Sequence, residues 1–353
     1  MARLSRAETQ ERNRGKVLAA ARDEFAELGF RDAKIDAIAE RAELTRGAVY
    51  SNFPGKRALY FAVLADLAER APAPLHPSSG RNAHDALGGL ARAWVARLPD
   101  ERPLGAELMP EILADERVQR PFAQLMKLDA LLLALALERL QPPEVPPGAP
   151  PARLVRLAET VLTTLHGASQ LAAAAPGFVE PFDIISACER LSGLALNDFW
   201  APPPIVPPTQ PTDEPWSPPE AIDLVRGESA RLTGDGVVAV LGLHRLSAAE
   251  EAVRAGAAAT IALVTSDPGE FAPLARLAIA ELCGCLRQAF PASSWPRLQV
   301  VCDASGALAA AAGVSAVSDA TETAVRIEAN RIVARADGRG ACHAAAHALV
   351  HHE

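Results

Sequence analysis

His343, His347 and His351 repeat at i, i+4 and i+8 near the end of this 353-residue chain, a spacing that lines three imidazoles along one helical stripe. Adjacent pairs at this spacing are how two histidines on one helix hold Zn²⁺ or a similar ion, and Glu353 could add a carboxylate. The competing reading is a solvated helix face whose cationic forms suit the C-terminal dipole. Cys283-Gly284-Cys285 also invites a redox or metal reading. On a helix, however, residues i and i+2 point to opposite sides, so both thiols are expected as small core residues, as is Cys302 at the end of an apolar run. Thr163, Thr164, His166, Ser169 and Gln170 interrupt an apolar helical stretch and could form the polar corner of a small-molecule pocket, lined further by Trp94 and Met109. Satisfied core residues or a dimer seam would explain the same pattern. No catalytic constellation accompanies them, and no cofactor is implied.

The elements that must place functional side chains are clearest at Lys34 to Tyr60, KIDAIAERAELTRGAVYSNFPGKRALY. Ile35, Ile38, Ala39 and Ala42 fall at i, i+3, i+4 and i+7, one face of a helix about two turns long. Glu43-Leu44 breaks the pattern, and Thr45 is a good N-cap for a second helix from Arg46 to Phe53. That helix keeps Val49 and Phe53 on one face and leaves Arg46, Tyr50, Ser51 and Asn52 elsewhere. Gly47 and Ala48 are small enough for a DNA backbone to approach closely. Two short helices in this relation build a helix-turn-helix whose second helix enters a major groove. A longer helix, Glu8 to Leu28, precedes them, with Val17, Leu18, Ala21, Phe25 and Leu28 expected inward and Gly29-Phe30 ending it.

The whole order, from long helix through Gly-aromatic, helix, turn and helix to Tyr-x-x-Phe-Pro-x-Lys-x-x-Leu, resembles the TetR family of bacterial transcription regulators. The matching residues are Gly29-Phe30, Ile35, Ile38-Ala39, Ala42, Thr45 to Tyr50, Phe53-Pro54, Lys56 and Leu59. The resemblance implies that Thr45, Tyr50 and Lys56 grip phosphates and that Arg46 and Gly47 lie against the groove. Arg46 is the best base reader, because its fork fits guanine O6 and N7; Ser51 and Asn52 are further candidates. Three residues depart from the family pattern. Glu43 stands where a turn glycine is usual and must take that conformation itself. Lys34 replaces a common threonine and adds a phosphate-seeking charge, and Ala48 replaces a frequent threonine and removes one contact. The resemblance further implies a homodimer on a palindromic operator in double-stranded DNA, acting as a repressor that a small-molecule effector releases.

Charge agrees with a DNA-facing end. Residues 1–60 carry 12 Lys+Arg against 9 Asp+Glu, while the rest carries 23 against 34, leaving the chain at −8. The first fifteen residues are polar and charged, with no apolar signal region. The longest greasy run, Ala130 to Leu137, is far short of the roughly 20 residues that cross a bilayer. Five cysteines form no disulfide framework, so a soluble, cytoplasmic protein is expected.

The length calls for more than one domain. An all-α regulator is expected: a helix-turn-helix head at 1–60 and a helical ligand-binding and dimerisation domain at 61–200. Its last two helices, Leu154 to Ala174 and Ile184 to Phe199, are implied by the resemblance to pack against their copy. Residues 201–220, APPPIVPPTQPTDEPWSPPE, read as a linker whose prolines favour polyproline II. Beyond it, 221–353 alternates strands and helices. Strands are expected at Gly236–Leu243, Thr260–Thr265, Leu298–Cys302, Ala324–Glu328 and Arg331–Ala334. Helices are expected at Ser247–Ala255 with Ser247 as cap, Phe271–Phe290, Ala307–Ala312 and Ala341–His352. This α/β order resembles the thioredoxin-like fold, but the position of its Cys-x-x-Cys reads Ser266-Asp267-Pro268-Gly269, so thiol redox catalysis is not carried over. The rival to a DNA-binding regulator is a redox- or metal-responsive sensor or enzyme whose chemistry lies in this last domain.

Overall fold

A computed structural model describes residues 5–71, 80–98, 104–140 and 153–348 of the chain. The first helix, α1 (Arg6–Asp32), opens on a capping box: the Ser5 hydroxyl accepts from the Glu8 amide at 3.2 Å, and the Glu8 carboxylate accepts from the Ser5 amide at 2.7 Å. At Gly29 the backbone swings to φ +77° and the regular helix breaks. Leu28, expected inward, is 48% exposed. The turn at Gly29 brings Phe30 inward instead, 4.8 Å from the Tyr60 ring, with Phe25 at 5.4 Å from Tyr60.

Then follow α2 (Ile35–Arg41), α3 (Arg46–Asn52) and α4 (Lys56–Glu69). Every residue of α4 from Ala58 to Ala65 is buried, so this helix is covered on all sides. The helical body continues with α5 (Ala83–Val95), α6 (Leu108–Leu113), α7 (Glu116–Leu140), α8 (Val155–Ala174) and α9 (Pro181–Leu191). The last helix was expected to reach Phe199. It stops at Leu191, just before Gly193, and Asn197 lies at φ +45°, outside helical geometry.

The segment expected as a linker is extended, but it is not a free spacer. Residues Gln210–Pro215 form β1, paired antiparallel to the last strand. Pro211 and Pro215 are tolerated because β1 is an edge of the sheet, where one side of the strand needs no ladder donors. A two-residue ribbon of β2 (Ile222–Asp223) and β3 (Glu228–Ser229) follows. Next come β4 (Gly236–Gly242), α10 (Ala249–Arg254), β5 (Ala259–Val264), α11 (Pro268–Ala289), β6 (Leu298–Cys302) and α12 (Ala307–Ala311). The chain then forms β7 (Glu322–Glu328), β8 (Arg331–Asp337) and α13 (Ala341–Ala346). The sheet order is β1-β8-β7-β4-β5-β6, with β4, β5 and β6 parallel and the hairpin antiparallel beside β4. Ala329 and Asn330 turn the hairpin with φ +46° and +60°, the left-handed pair that a two-residue turn needs.

Two expectations fail locally. Ser247 makes no side-chain cap: a short 3₁₀ turn, Leu246–Ala248, precedes α10, and the Ser247 amide donates to Gln124 Oε1 of α7 at 3.0 Å. The closing helix, expected to run to His352, ends at Ala346, and residues beyond 348 lie outside the described part.

Strand side chains alternate between two cores. Val238, Val240, Ala262, Val264, Val325 and Ile327 meet Trp216 and α12 on one face. Val237, Ala239, Leu241, Ile261, Leu263 and Val300 turn to the other, where α11 lies. That second core does not stop at the domain boundary. Through α11 it runs without a break into α4, α5 and α7 and on to the helices of the head. Ion pairs tie the same boundary: Arg254 to Glu138 at 2.6 Å, Arg153 to Glu250 at 2.7 Å and Arg276 to Glu69 at 2.5 Å.

Candidate nucleic-acid interface

The turn between α2 and α3 is made by Glu43, which takes φ +56° as its position requires of a non-glycine residue. Its carboxylate lies 3.5 Å from Lys16 Nζ of α1. Thr45 adopts extended geometry and its hydroxyl accepts from the Ala48 amide at 3.2 Å, a cap worth about 1 kcal/mol. Val49 and Phe53 are buried beneath α3, while Thr45, Arg46, Gly47, Tyr50 and Ser51 are exposed along its outer side. Ala48 and Asn52 are half-buried, and Lys34 is exposed at the N-cap of α2.

Without DNA, this row is held in place by contacts of its own. Arg46 sits 3.3 Å from Asp36 and 5.5 Å above the Tyr50 ring; the nearby Tyr50 and the charge of Asp36 both strengthen its hold on its proton. To read a base, the guanidinium must leave Asp36. Ser51 Oγ and Asn52 Nδ2 both donate to the Ala48 carbonyl, at 2.9 and 2.8 Å, so their outward reach is set by the helix itself. Lys56 Nζ donates to the Arg31 carbonyl at 2.9 Å and stands 4.7 Å over the Phe30 ring. Its ammonium is thereby fixed at the junction of α1 and α4. Partial burial there lowers its pKa.

Two supporting residues escaped the sequence reading. Arg14 donates to the Asn52 carbonyl at 3.4 Å and lies 4.5 Å over the Phe53 ring, clamping the end of α3. Glu107 accepts from the Phe30 amide and lies 3.9 Å from Arg31, tying the head to the helical body. Arg14 carried a signal, since a basic residue on the same face as Val17 and Leu18 would reach the helix packed there. Glu107 carried none.

The other candidate sites are only partly assembled. Trp94 and His166 meet edge to face with centroids 4.8 Å apart, and the Trp94 indole donates to Ser169 Oγ at 2.9 Å. Burial pushes the His166 imidazole down to about 4, so it is neutral at ordinary pH. Met109 packs from α6 against the core. Thr163 and Gln170 point outward from α8, and Thr163 Oγ1 is spent on the Glu159 carbonyl at 2.7 Å.

His343 and His347 do come together, with ring centroids 4.1 Å apart, and Trp200 stands 5.8 Å from His343. The stripe is cut after them because α13 ends, and His351 lies outside the described residues. Among those residues no group of three or more His, Cys, Asp or Glu is arranged to hold a metal. Cys283 and Cys285 are buried and unpaired, and burial pushes the Cys285 thiol up to about 11 and Cys283 higher still. A thiol held protonated in this way is a poor nucleophile. Among the described residues no helix is long and apolar enough to cross a membrane.

A capped helix lying outermost on a helix-turn-helix, with Lys56 opening the next helix, has the build of a DNA-binding head. Residues 17–63 match the profile of bacterial regulatory proteins of the tetR family, and this part of the chain is a TetR-family DNA-binding domain. Over 65 residues, 18% of the chain, the sequence is 46% identical to the HTH-type transcriptional regulator SrpR of Pseudomonas putida, spanning 30% of that protein. It is also 46% identical over 65 residues to the uncharacterized HTH-type transcriptional regulator TtgW, likewise of Pseudomonas putida, spanning 48% of it. The chain thus matches less than half the length of either curated relative. Among solved structures, a TetR transcriptional regulator from Rhodococcus sp. RHA1 aligns with 52% of this chain and 95% of its own at 21% identity and a TM-score of 0.35. The regulator FadR from Bacillus subtilis in complex with stearoyl-CoA aligns with 50% of this chain and 96% of its own, at 17% identity and a TM-score of 0.28.

Proposed function

We propose that the chain is a ligand-responsive transcriptional repressor that binds a palindromic operator as a homodimer. The observation that carries this reading is the exposed row of Thr45, Arg46, Gly47, Tyr50 and Ser51 on a capped α3, flanked by Lys34 and Lys56. Arg46 reads a base edge, Thr45, Tyr50, Lys34 and Lys56 hold phosphates, and Gly47 and Ala48 let the backbone approach, with Ser51 and Asn52 at the margin.

Two-fold symmetry is supported by the outer side of α8 and the segment after it. Thr163, Gly167, Leu171 and Ala174 form an uncharged exposed stripe, and Phe178 and Phe182 beside it are 71% and 75% exposed. A second copy would bury both. Thr163 and Gln170 fit this seam better than an effector pocket, which leaves Trp94, His166 and Met109 as the effector side of the helical body. Effector binding there would bias the spacing of the two heads. The appended α/β domain, thioredoxin-like in its element order, works by contact and not as an enzyme; its buried thiols support that reading.

The test is selection of genomic DNA fragments by the intact protein, with the Tyr50→Ala/Lys56→Ala double variant beside it. A palindrome is expected from the first. A loss of operator affinity of about tenfold or more is expected from the second, at unchanged circular dichroism. Undiminished affinity in a folded double variant sinks the contact assignment.

A further inference from the structure

The structure assigns Gly269 and Glu270, at the start of α11 in the appended domain, as positioning residues for the DNA-reading head. The inference rests on the operator reading above and goes beyond it. In it the appended domain fixes the angle at which α3 is presented.

Pro54 and Gly55 are the only residues between Phe53, the C-cap of α3, and Lys56, the first residue of α4, so the direction of α3 follows from how this joint is held. Gly269 meets the joint from the appended domain. A Cβ placed on it would stand 2.9 Å from Pro54 Cγ and 3.1 Å from Pro54 Cδ, too close for a ring that cannot swing aside. One residue on, Glu270 forms a half-buried ion pair with Arg57, the second residue of α4, and Arg57 also holds Asp115 at 2.8 Å. Further along the same two helices, Arg276 pairs with Glu69 at 2.5 Å. The two pairs grip α4 twelve residues apart, about 18 Å of helix. A helix pinned at two separated points can neither pivot nor slide.

The start of α11 is itself anchored in its own domain. Thr265 and Ser266 both donate to Asp319, at 2.6 and 2.5 Å, the Asp267 amide donates to Thr265 Oγ1 at 3.2 Å, and Pro268 fixes the first helical turn. Arg117 of α7 approaches Asp267 to 3.8 Å from the other side. The stop against Pro54 is therefore part of a braced corner of the sheet. Ser266-Asp267-Pro268-Gly269, the stretch that lacks a thiol pair, brings Gly269 against Pro54 of the head.

The experiment uses the full chain and duplexes that carry two copies of its selected half-site, separated by spacers varied one base pair at a time. The intact protein is expected to prefer one spacing. Glu270→Gln removes the charge that ties Arg57 to α11 and Gly269→Val pushes on Pro54, so each is expected to lower the ratio of best to next-best spacing by about fivefold or more, or to move the optimum. Binding to a single half-site is expected to stay within about twofold, since neither residue faces DNA. A merely structural role would lower the melting temperature and leave the spacing profile where it was. That outcome in both variants overturns the inference while the operator reading stands. If the intact protein selects no half-site at all, the operator reading falls and the inference with it.

Discussion

Leu274→Ala tests whether the appended domain and the helical body are one cooperative unit. Leu274 lies on α11, fully buried, in the core that also holds Leu59, Phe61 and Leu132. Truncating a buried leucine loses its transfer free energy and leaves a cavity, at a cost of about 3 kcal/mol. At about 1.4 kcal/mol per factor of ten, that is roughly a 150-fold increase in the population of the open state. If the core is one unit, amide hydrogen exchange should accelerate by about that factor both in β4 and β5 and in Ala58–Ala65 of α4, which precedes Leu274 by more than 200 residues. Mass spectrometry of peptic fragments under native conditions reads both at once. Acceleration confined to 236–302, with α4 as protected as before, would refute a shared core and return the chain to domains on a string.

Two further outcomes are expected. Burial pushes the Glu281 carboxyl up to about 7, and Asp129 of α7, buried with Oδ1 unpartnered, is raised as well. Because the folded state then binds the Glu281 proton more tightly than the unfolded chain, stability should fall as pH climbs from about 4.5 to about 7 and level off above, by at most about 3 kcal/mol. Glu281→Gln should flatten that slope in urea melts taken at pH 5 and pH 8, and an unchanged slope would show that the carboxyl is not the source. Phe182→Asp places a charge in the exposed aromatic patch beside α8 and should weaken self-association at least about tenfold by sedimentation. A monomeric parent protein would remove the premise.

The helix-turn-helix could be read from sequence because the signals that mark its helices are local. The i, i+3, i+4 spacing of Ile35, Ile38 and Ala39, the Thr45 cap and the non-glycine turn at Glu43 all act within a few residues. The three parallel strands of the last domain were legible to within a residue, since continuous apolar runs bounded by turns leave little choice, whereas β2 and β3 were missed and β8 runs three residues further than expected. What could not be read was contact between segments far apart in the chain. Nothing local to Gly269 announces Pro54, or to Arg57 announces Glu270. A hint lay in α11 itself, apolar around most of its circumference from Phe271 to Ala289, which marks a helix covered on two sides. The prolines of 201–220 misled in the opposite direction. They exclude a central strand, but not the edge that β1 occupies.

The sharing of one core between α4 and α11 also bears on how the chain is made. Residues 56–140 leave the ribosome long before residues 268–289 exist, so the nascent chain carries an unfilled apolar groove until most of it has been synthesised. Its head can acquire helices at once, whereas the seat of α4 waits for a partner more than 200 residues away. During that interval the groove is a natural client surface for chaperones and a hazard for self-association. Messages cut short before α11 should therefore yield insoluble or degraded product.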